Sequence, residues 1–340
     1  MNIKVLFSAW LGVLGLLGPL AGVARAETIS LTYANFPPAV TFPSVQMERW
    51  ADEVEKRTQG RVKIRTFPGG TLLGAKNMLE GVTAGTADIG NFAMSYQPGR
   101  FPVAEAVDLY QGFTSARVAS LVLLHLVEKY QPKEFEKVKI LTLFTCPPTN
   151  LMTKTPVKSL EELKGMELRV AGTSAEILKL LGGTPVAMPQ SETPEALQKG
   201  VVKGIVSSLE ILQDFKFAAY TPYVTLVDLP VVSFAVVMNK AKWEALPAEV
   251  QQVMNDLVRE QAEWTGTYVD AHVAEALAWS EKEYQLQQFR LPPAEQARIA
   301  TLLAPLTADY IKKVSAQGLD GEQIVKDVQA FKAKYEAAGN

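Results

Sequence analysis

Cysteine and histidine are nearly missing from this sequence: Cys146, His125 and His272 are all that its 340 residues contain. One thiol excludes an intramolecular disulfide, so stability has to come from a sizeable core. Beside Pro147, Cys146 reads as a small buried residue; a nucleophilic thiol would need a histidine placed next to it. LVLLHLVEKY makes His125 a packed or half-exposed helix residue, and VDAHVAEA makes His272 a solvent-facing one. HExxH, CxxC, GxSxG, a P-loop and a GxGxxG after a strand are all missing. The carboxylates fall mostly on helical segments beside Lys or Arg, as on a solvated ion-pair face. No catalytic set, cofactor or metal site is therefore expected. Low-complexity tracts are missing too, which argues against disorder. There is no Lys/Arg run and no basic-aromatic interleaving, which argues against nucleic acid as a partner.

What is present begins with an apolar N-terminus. Lys4 supplies a positive start, Val5 to Val23 carries no charge, and Ala24-Arg25-Ala26 has the small-x-small form of a cleavage site. Residues 1–26 read as a signal peptide cleaved after Ala26. A membrane anchor is the competing reading, because the run is long enough nearly to span a bilayer. Its glycines, Pro19 and the cleavage pattern favour the signal peptide. No cysteine follows the cleavage site, which disfavours a lipoprotein anchor. Losing Lys4 and Arg25 takes the 34 basic residues to 32 against 36 acidic ones, a mature charge of −4. The expected location is the periplasm.

Further along, ISLTYANF alternates as a strand, SVQMERWADEVEKRTQG reads as a helix capped by Ser44 and stopped by Gly60, RVKIRTF as a strand, AKNMLEGVTAGT as a helix and ADIGNFAM as a third strand. The pattern resumes with SLEELKG, MELRVAG, SAEILKLLGG, TPVAM, SETPEALQKG and GIVSSLEIL. Strands separated by helices of this length predict parallel pairing through crossovers, hence an α/β class. Two such runs without internal repetition predict two α/β units. An almost glycine-free helical stretch from about Ala248 to Gln288 is long enough to bridge them.

A two-unit α/β protein with no catalytic set suits small-molecule binding between its units. Such a cleft needs polar groups set into apolar walls. Arg169, between Leu168 and Val170 of a strand, is the clearest candidate, because its planar guanidinium matches a carboxylate with two hydrogen bonds. A buried structural ion pair is the competing reading.

Several segments together, in this order and spacing, resemble the solute-binding proteins of tripartite ATP-independent periplasmic (TRAP) transporters, of the DctP type. They are FPSVQMERWADEVEKRTQGRVKIRTFPGGTLLG, MLEGVTAGTADIG, LKGMELRVAG, PVAMPQSETPEALQKGVVKG and MNKAKWEALPAEVQQVM. The resemblance spans essentially the whole mature chain. It implies a periplasmic binding protein-like fold: two α/β domains with a ligand cleft between them, joined by crossing strands and a long hinge helix. Mapped onto this sequence, one domain would comprise 27–151 with about 235–275, and the other 152–234 with about 276–340.

By the same resemblance the ligand is a small organic acid whose carboxylate Arg169 grips. The partners are that ligand and the TRAP membrane permease, which draws on an ion gradient, commonly sodium. Membrane contact is then transient and only through the permease. Carry-over also points to Asn91, Phe92 and Met94 on one wall of the cleft, Ser207 and Ser208 opposite, Met188 and Gln190 beside them, and Asn35 in the first strand-to-helix connection. Phe92 and Met94 equally suit a core, and Asn35 a turn. Lys203 stands where the family commonly has Asp, and Pro194 where it has an aromatic in a helix capped here by Ser191 or Thr193. Ala93 and the stretch near Thr155 lack the glutamate and second arginine of sialic-acid binders, so that ligand is disfavoured. The apolar character of NFAM and TCPPTN tilts the expectation towards an acid with a hydrophobic or aromatic body. A ligand-dependent partner of a sensor kinase and a secreted enzyme are the alternative functions.

Overall fold

The computed structural model describes residues 27–172 and 174–338; the expected signal peptide, 1–26, lies outside the described residues. Eleven strands among them form two sheets. The first holds β1 (Ile29–Asn35), β2 (Val62–Phe67), β3 (Ile89–Ala93), β4 (Val138–Thr145) and, later in the chain, β10 (Ser233–Asn239), in the order β2-β1-β3-β10-β4. The second holds β5 (Thr149–Thr153), β6 (Glu167–Val170), β7 (Thr184–Ala187), β8 (Gly204–Ser207), β9 (Tyr223–Leu229) and β11 (Gln287–Arg290), in the order β11-β9-β5-β8-β6-β7.

The crossover units pair in parallel: β1 with β2 and β3, β6 with β7 and β8. Parallel pairing does not extend across the whole of either sheet. β10 runs antiparallel to both β3 and β4, and β5 antiparallel to β8 and β9. The reason is the crossing itself. β4 leaves the first sheet and becomes β5 of the second within a few residues, and β9 returns as β10, so both crossing strands enter against the local direction. The fold is thus a mixed α/β protein with two sheets and two domains.

Each sheet has its own buried cluster. The first is built on residues such as Tyr33, Trp50, Ile89 and Phe144; the second sheet is covered on one face by Leu168, Val170 and Leu178 and on the other by Ile205, Leu212 and Val224. The helix Ala248–Tyr284 spans both regions. Val250, Met254, Leu257 and Val269 enter the first cluster, while Val273, Leu277 and Trp279 pack on the second sheet. It is anchored at Gly266, where any Cβ would collide with the backbone of Arg117. Four residues on, the Asp270 carboxylate accepts from Ala116 N at 2.7 Å and Arg117 N at 3.0 Å, capping the helix Ala116–Tyr130.

Two local readings shift. The first helix begins at Phe42, with Pro43 in its first turn, and Ser44 points inward rather than capping. Glu192 precedes the helix Thr193–Gln198, so neither Ser191 nor Thr193 caps it. The last helix, Gly321–Ala337, places Ile324, Val328 and Tyr335 in the first cluster, so its packing lies with the first unit although the sequence division put 276–340 with the second. Lys203 is exposed, its Nζ donating to Gly200 O at 3.2 Å, on a surface turn.

Asp108 carries a testable consequence. It is buried, Ser233 Oγ donates to its Oδ1 at 2.5 Å, and burial pushes its carboxyl up to about 8. An acid whose folded pKa is raised favours folding less as pH climbs from its ordinary value to the folded one, here from 3.8 to about 8. Asp108→Asn, close in shape, is expected to remove a slope on the order of a few kcal/mol across that window. Unfolding midpoints of both proteins at pH 5.5 and 8 check this: a parallel decline in the two would show that Asp108 is not the source.

Candidate functional site

The strand order brings the carboxyl ends of the parallel strands of both sheets to one place, the usual position of a ligand site in open α/β sheets. The connections after β1, β3, β6, β7 and β8 contribute Phe36, Tyr96, Ala171, Gln190 and Glu210, and the two crossing segments contribute Cys146 and Val232. Between them lies a cavity of about 60 Å³. That is well below the roughly 300 Å³ or more of an ordinary ligand pocket, so an acid the size of benzoate enters only if the lining side chains or the two units give way.

Arg169 sits in its wall. In β6 successive side chains alternate, so Leu168 and Val170 fill one face of the sheet and Arg169 turns to the other. It is only 2% exposed. Its Nε and Nη2 both donate to the carbonyl of Met188, at 3.0 and 2.8 Å, and Nη2 lies 3.4 Å from Tyr96 Oη. Among the described residues no carboxylate comes within 4 Å of it, unlike the ion-paired arginines elsewhere in the chain. Burial, the largest influence, lowers its pKa, yet a guanidinium stays charged. A buried cation without a counter-charge costs several kcal/mol unless something supplies one. The structural ion pair is therefore not what the fold provides.

Facing it, the first unit presents an aromatic wall. Phe42 meets Phe234 edge-on at 6.0 Å and Phe144 at 5.8 Å, while Phe144 and Phe234 stack at 5.1 Å. Phe36 and Pro37 continue that wall, and Phe36 packs on Tyr96 at 5.6 Å. Tyr96 ties the two units together, since its hydroxyl also accepts from Gln190 N at 3.0 Å.

A second polar group lies further along the second unit. Glu210 is 1% exposed; Ser208 Oγ donates to its Oε1 at 2.6 Å, and Oε2 has no partner. Burial pushes its carboxyl up to about 7. Asp214 accepts from His272 Nε2 at 2.8 Å through Oδ1, and its Oδ2 is unpartnered. That hydrogen bond raises the His272 pKa to about 9, so the imidazole is cationic at neutral pH. His272 is thus a partner of a cavity residue, not the solvent-facing helix residue its sequence context implies; Tyr268 stacks on it at 5.7 Å and its side chain is only 12% exposed. His125 is packed as expected, stacked on Phe331 at 4.0 Å. Cys146 is buried, and burial pushes its thiol up, away from the nucleophilic thiolate.

Of the residues expected at the site, Arg169, Gln190, Ser207 and Ser208 line the cavity. Met188 supports it from behind through its carbonyl, while its side chain packs on the second sheet. Asn35, Asn91, Phe92 and Met94 are not brought there. Asn35 Nδ2 donates to Pro43 O at 2.8 Å and Ser44 Oγ at 2.9 Å, and its Oδ1 accepts from Asn91 Nδ2 at 2.9 Å, a buried clasp between β1, β3 and the first helix. Phe92 packs on Phe101 at 5.5 Å and Met94 joins the same core. Sequence reasoning missed Tyr96, Phe42, Phe234, Glu210 and Asp214. For Glu210 a signal existed: SSLEIL, like LRV, sets one charge among apolar neighbours.

Comparison with known proteins gives this architecture its place. Residues 37–313 match bacterial extracellular solute-binding protein, family 7 (DctP). A TRAP periplasmic solute-binding protein from Desulfovibrio salexigens, solved as an open complex, is 52% identical over 91% of this chain and 97% of its own, with a TM-score of 0.83. A TRAP solute-binding protein from an unidentified marine microbe, specific for aromatic acid ligands and holding 3-hydroxybenzoate, is 29% identical over 91% of this chain and 99% of its own, TM-score 0.86. A third, from Rhodoferax ferrireducens with copurified benzoate, shares the fold at 24% identity over 92% and 100% of the two chains, TM-score 0.88. With its two sheets, crossing strands and bridging helix, the chain belongs to the family 7 extracellular solute-binding proteins, the DctP-type receptors of TRAP systems.

Proposed function

We propose that this protein captures a small organic acid with an aromatic or otherwise apolar body, closes its two units around it, and presents it to a TRAP membrane permease. One observation carries the reading: Arg169 is a buried cation with no counter-charge, in a cavity whose opposite wall is aromatic. A carboxylate on the guanidinium supplies the missing charge, and the ring or chain behind it meets Phe42 and Phe234. Exclusion of water on closure strengthens the charge-assisted pair. The 3-hydroxybenzoate held by the 29%-identical relative is an acid of this class. Closure would turn on the crossing segments between β4 and β5 and between β9 and β10, with the long helix as strut. Export with cleavage after Ala26 would put the receptor outside the cytoplasm; the mass of the mature protein, beginning at Glu27, checks that step.

Thermal unfolding of the mature protein in a series of carboxylic acids and their amides tests the ligand class. A ligand confined to the folded state adds about 2.7 kcal/mol at a hundred times Kd. Benzoate-type acids are expected to raise the midpoint by several degrees, and benzamide to leave it where it was. Equal shifts for acid and amide would remove Arg169 from the centre of the mechanism.

A further inference from the structure

The cavity that holds Arg169 also holds two acids, and neither reaches it. Glu210 and Asp214 line the same space, yet both leave a carboxylate oxygen without a partner, Oε2 and Oδ2, while the guanidinium has no carboxylate within 4 Å. Buried polar atoms are almost always hydrogen-bonded, and leaving one bare is costly. Gln190 Nε2, also in the cavity wall, is bare as well. Complementary groups that could have satisfied one another are instead held apart across a small apolar gap. A bridging molecule accounts for that arrangement.

Resting on the proposed carboxylate reading, we infer that Glu210 and Asp214 form a second subsite, which takes a hydroxyl group carried by the acid at the end away from its carboxylate. The ligand class is accordingly a hydroxylated acid, of which a ring-hydroxylated benzoate is the simplest probe.

A hydroxyl suits these acids better than an ammonium does. Ser208 already donates to Glu210 Oε1 and His272 to Asp214 Oδ1, so a positive charge is in place beside the pair. Glu210 is buried and beside the Asp214 carboxylate, both of which favour its protonated form near neutral pH. A buried ammonium would need it ionised. A hydroxyl fits either state, donating to the carboxylate or accepting from the carboxylic acid. The subsite rests on fixed groups: Glu210 precedes the short helix Ile211–Asp214, which packs against the long helix Ala248–Tyr284 that carries His272.

The test is calorimetric titration of the mature protein with benzoate, the three hydroxybenzoates and 3-(aminomethyl)benzoate, repeated on Glu210→Gln and Glu210→Leu. The readout is the ratio of affinities between the best hydroxybenzoate and benzoate, so a general weakening in a variant cancels. In the wild type that ratio is expected to be about tenfold or more, as for a site built to hydrogen-bond a hydroxyl. It should fall to about threefold or less in Glu210→Leu and lie between in Glu210→Gln, which keeps an acceptor and guards against misfolding of the leucine variant. Benzoate bound as tightly as every hydroxybenzoate, a ratio unmoved by both substitutions, or a preference for the ammonium compound overturns the subsite while leaving Arg169 in its role. Binding of none of the acids overturns the aromatic form of the carboxylate reading and the subsite with it.

Discussion

Arg169→Met is expected to weaken binding of any carboxylate ligand by about thirtyfold or more, and at the same time to leave the ligand-free protein as stable as before or more so. The two effects have opposite signs because the guanidinium is a charge buried for a purpose other than folding. Removing one partner of a fully desolvated charged pair costs 2–5 kcal/mol or more of binding, which gives roughly thirtyfold to several thousandfold. Without ligand, the same substitution takes away a charge that no carboxylate pairs and puts an apolar side chain of similar reach in its place; exchanging whole buried ion pairs for apolar residues is neutral or stabilising by about 1–4 kcal/mol, and the same sign is expected here, reduced by the hydrogen bonds lost at the Met188 carbonyl. Arg169→Lys should fail nearly as badly, since Nε and Nη2 both anchor on the Met188 carbonyl and a single ammonium cannot hold that anchor and grip a carboxylate in a fork. Titration calorimetry and ligand-free thermal melts, run together, read both halves. A methionine variant with wild-type affinity would refute the role outright.

Gly172→Val is expected to cost ten- to a hundredfold in affinity for every ligand alike, by a different route. Gly172 follows β6, two residues after the end of the strand that carries Arg169. A Cβ built on it would stand 2.5 Å from the carbonyl oxygen of Ser95 and 3.1 Å from Pro98 Cγ, both in the connection after β3 of the other unit. The nearer of the two is a backbone oxygen, so no side-chain movement relieves the clash. If the units part when ligand leaves, the valine harms only the closed form, and the loss is shared by benzoate and hydroxybenzoates without changing their order. The ligand-free melting temperature should stay within about a degree, because surface substitutions in an open cleft are near neutral. Alanine should act in the same direction, more weakly. Scattering in solution supplies the second measurement: the ligand-induced fall in radius of gyration should shrink in the variant. A ligand-free melt that drops as far as the affinity does would mean that the contact is permanent and the units do not part.

How much of this could be read from the residues alone depended on whether a signal was local. Strand alternation in ISLTYANF and RVKIRTF, and the apolar period of the helices between, are local, and the elements came out where the periodicity put them. Antiparallel entry of β10 and β5 was not legible, because it follows from the chain crossing twice between sheets. Arg169 could be singled out because its neighbours are apolar and its charge permanent. Asn35 and Asn91 could not be sorted, since a buried asparagine near a strand end looks the same whether it faces a ligand or clasps a helix; only the distances to Pro43 and Ser44 separate the two. Tyr96, Phe42 and Phe234 come from widely spaced parts of the chain and meet only in three dimensions. His272 went astray for the same reason: its partner, Asp214, lies 58 positions away.

Cys146 gives the cavity a built-in chemical gauge of opening. It is the sole thiol of the chain, lies in a crossing segment, and accepts a hydrogen bond from Val232 N at 3.2 Å in the wall that the ligand would cover. A maleimide or disulfide reagent can reach that sulfur only while the wall is uncovered, so with labelling slower than reclosing the rate of modification reports the fraction of molecules open, and saturation with an acid should slow it as the open, empty form is depleted. Labelling of the unaltered receptor would then weigh its open form without an engineered probe.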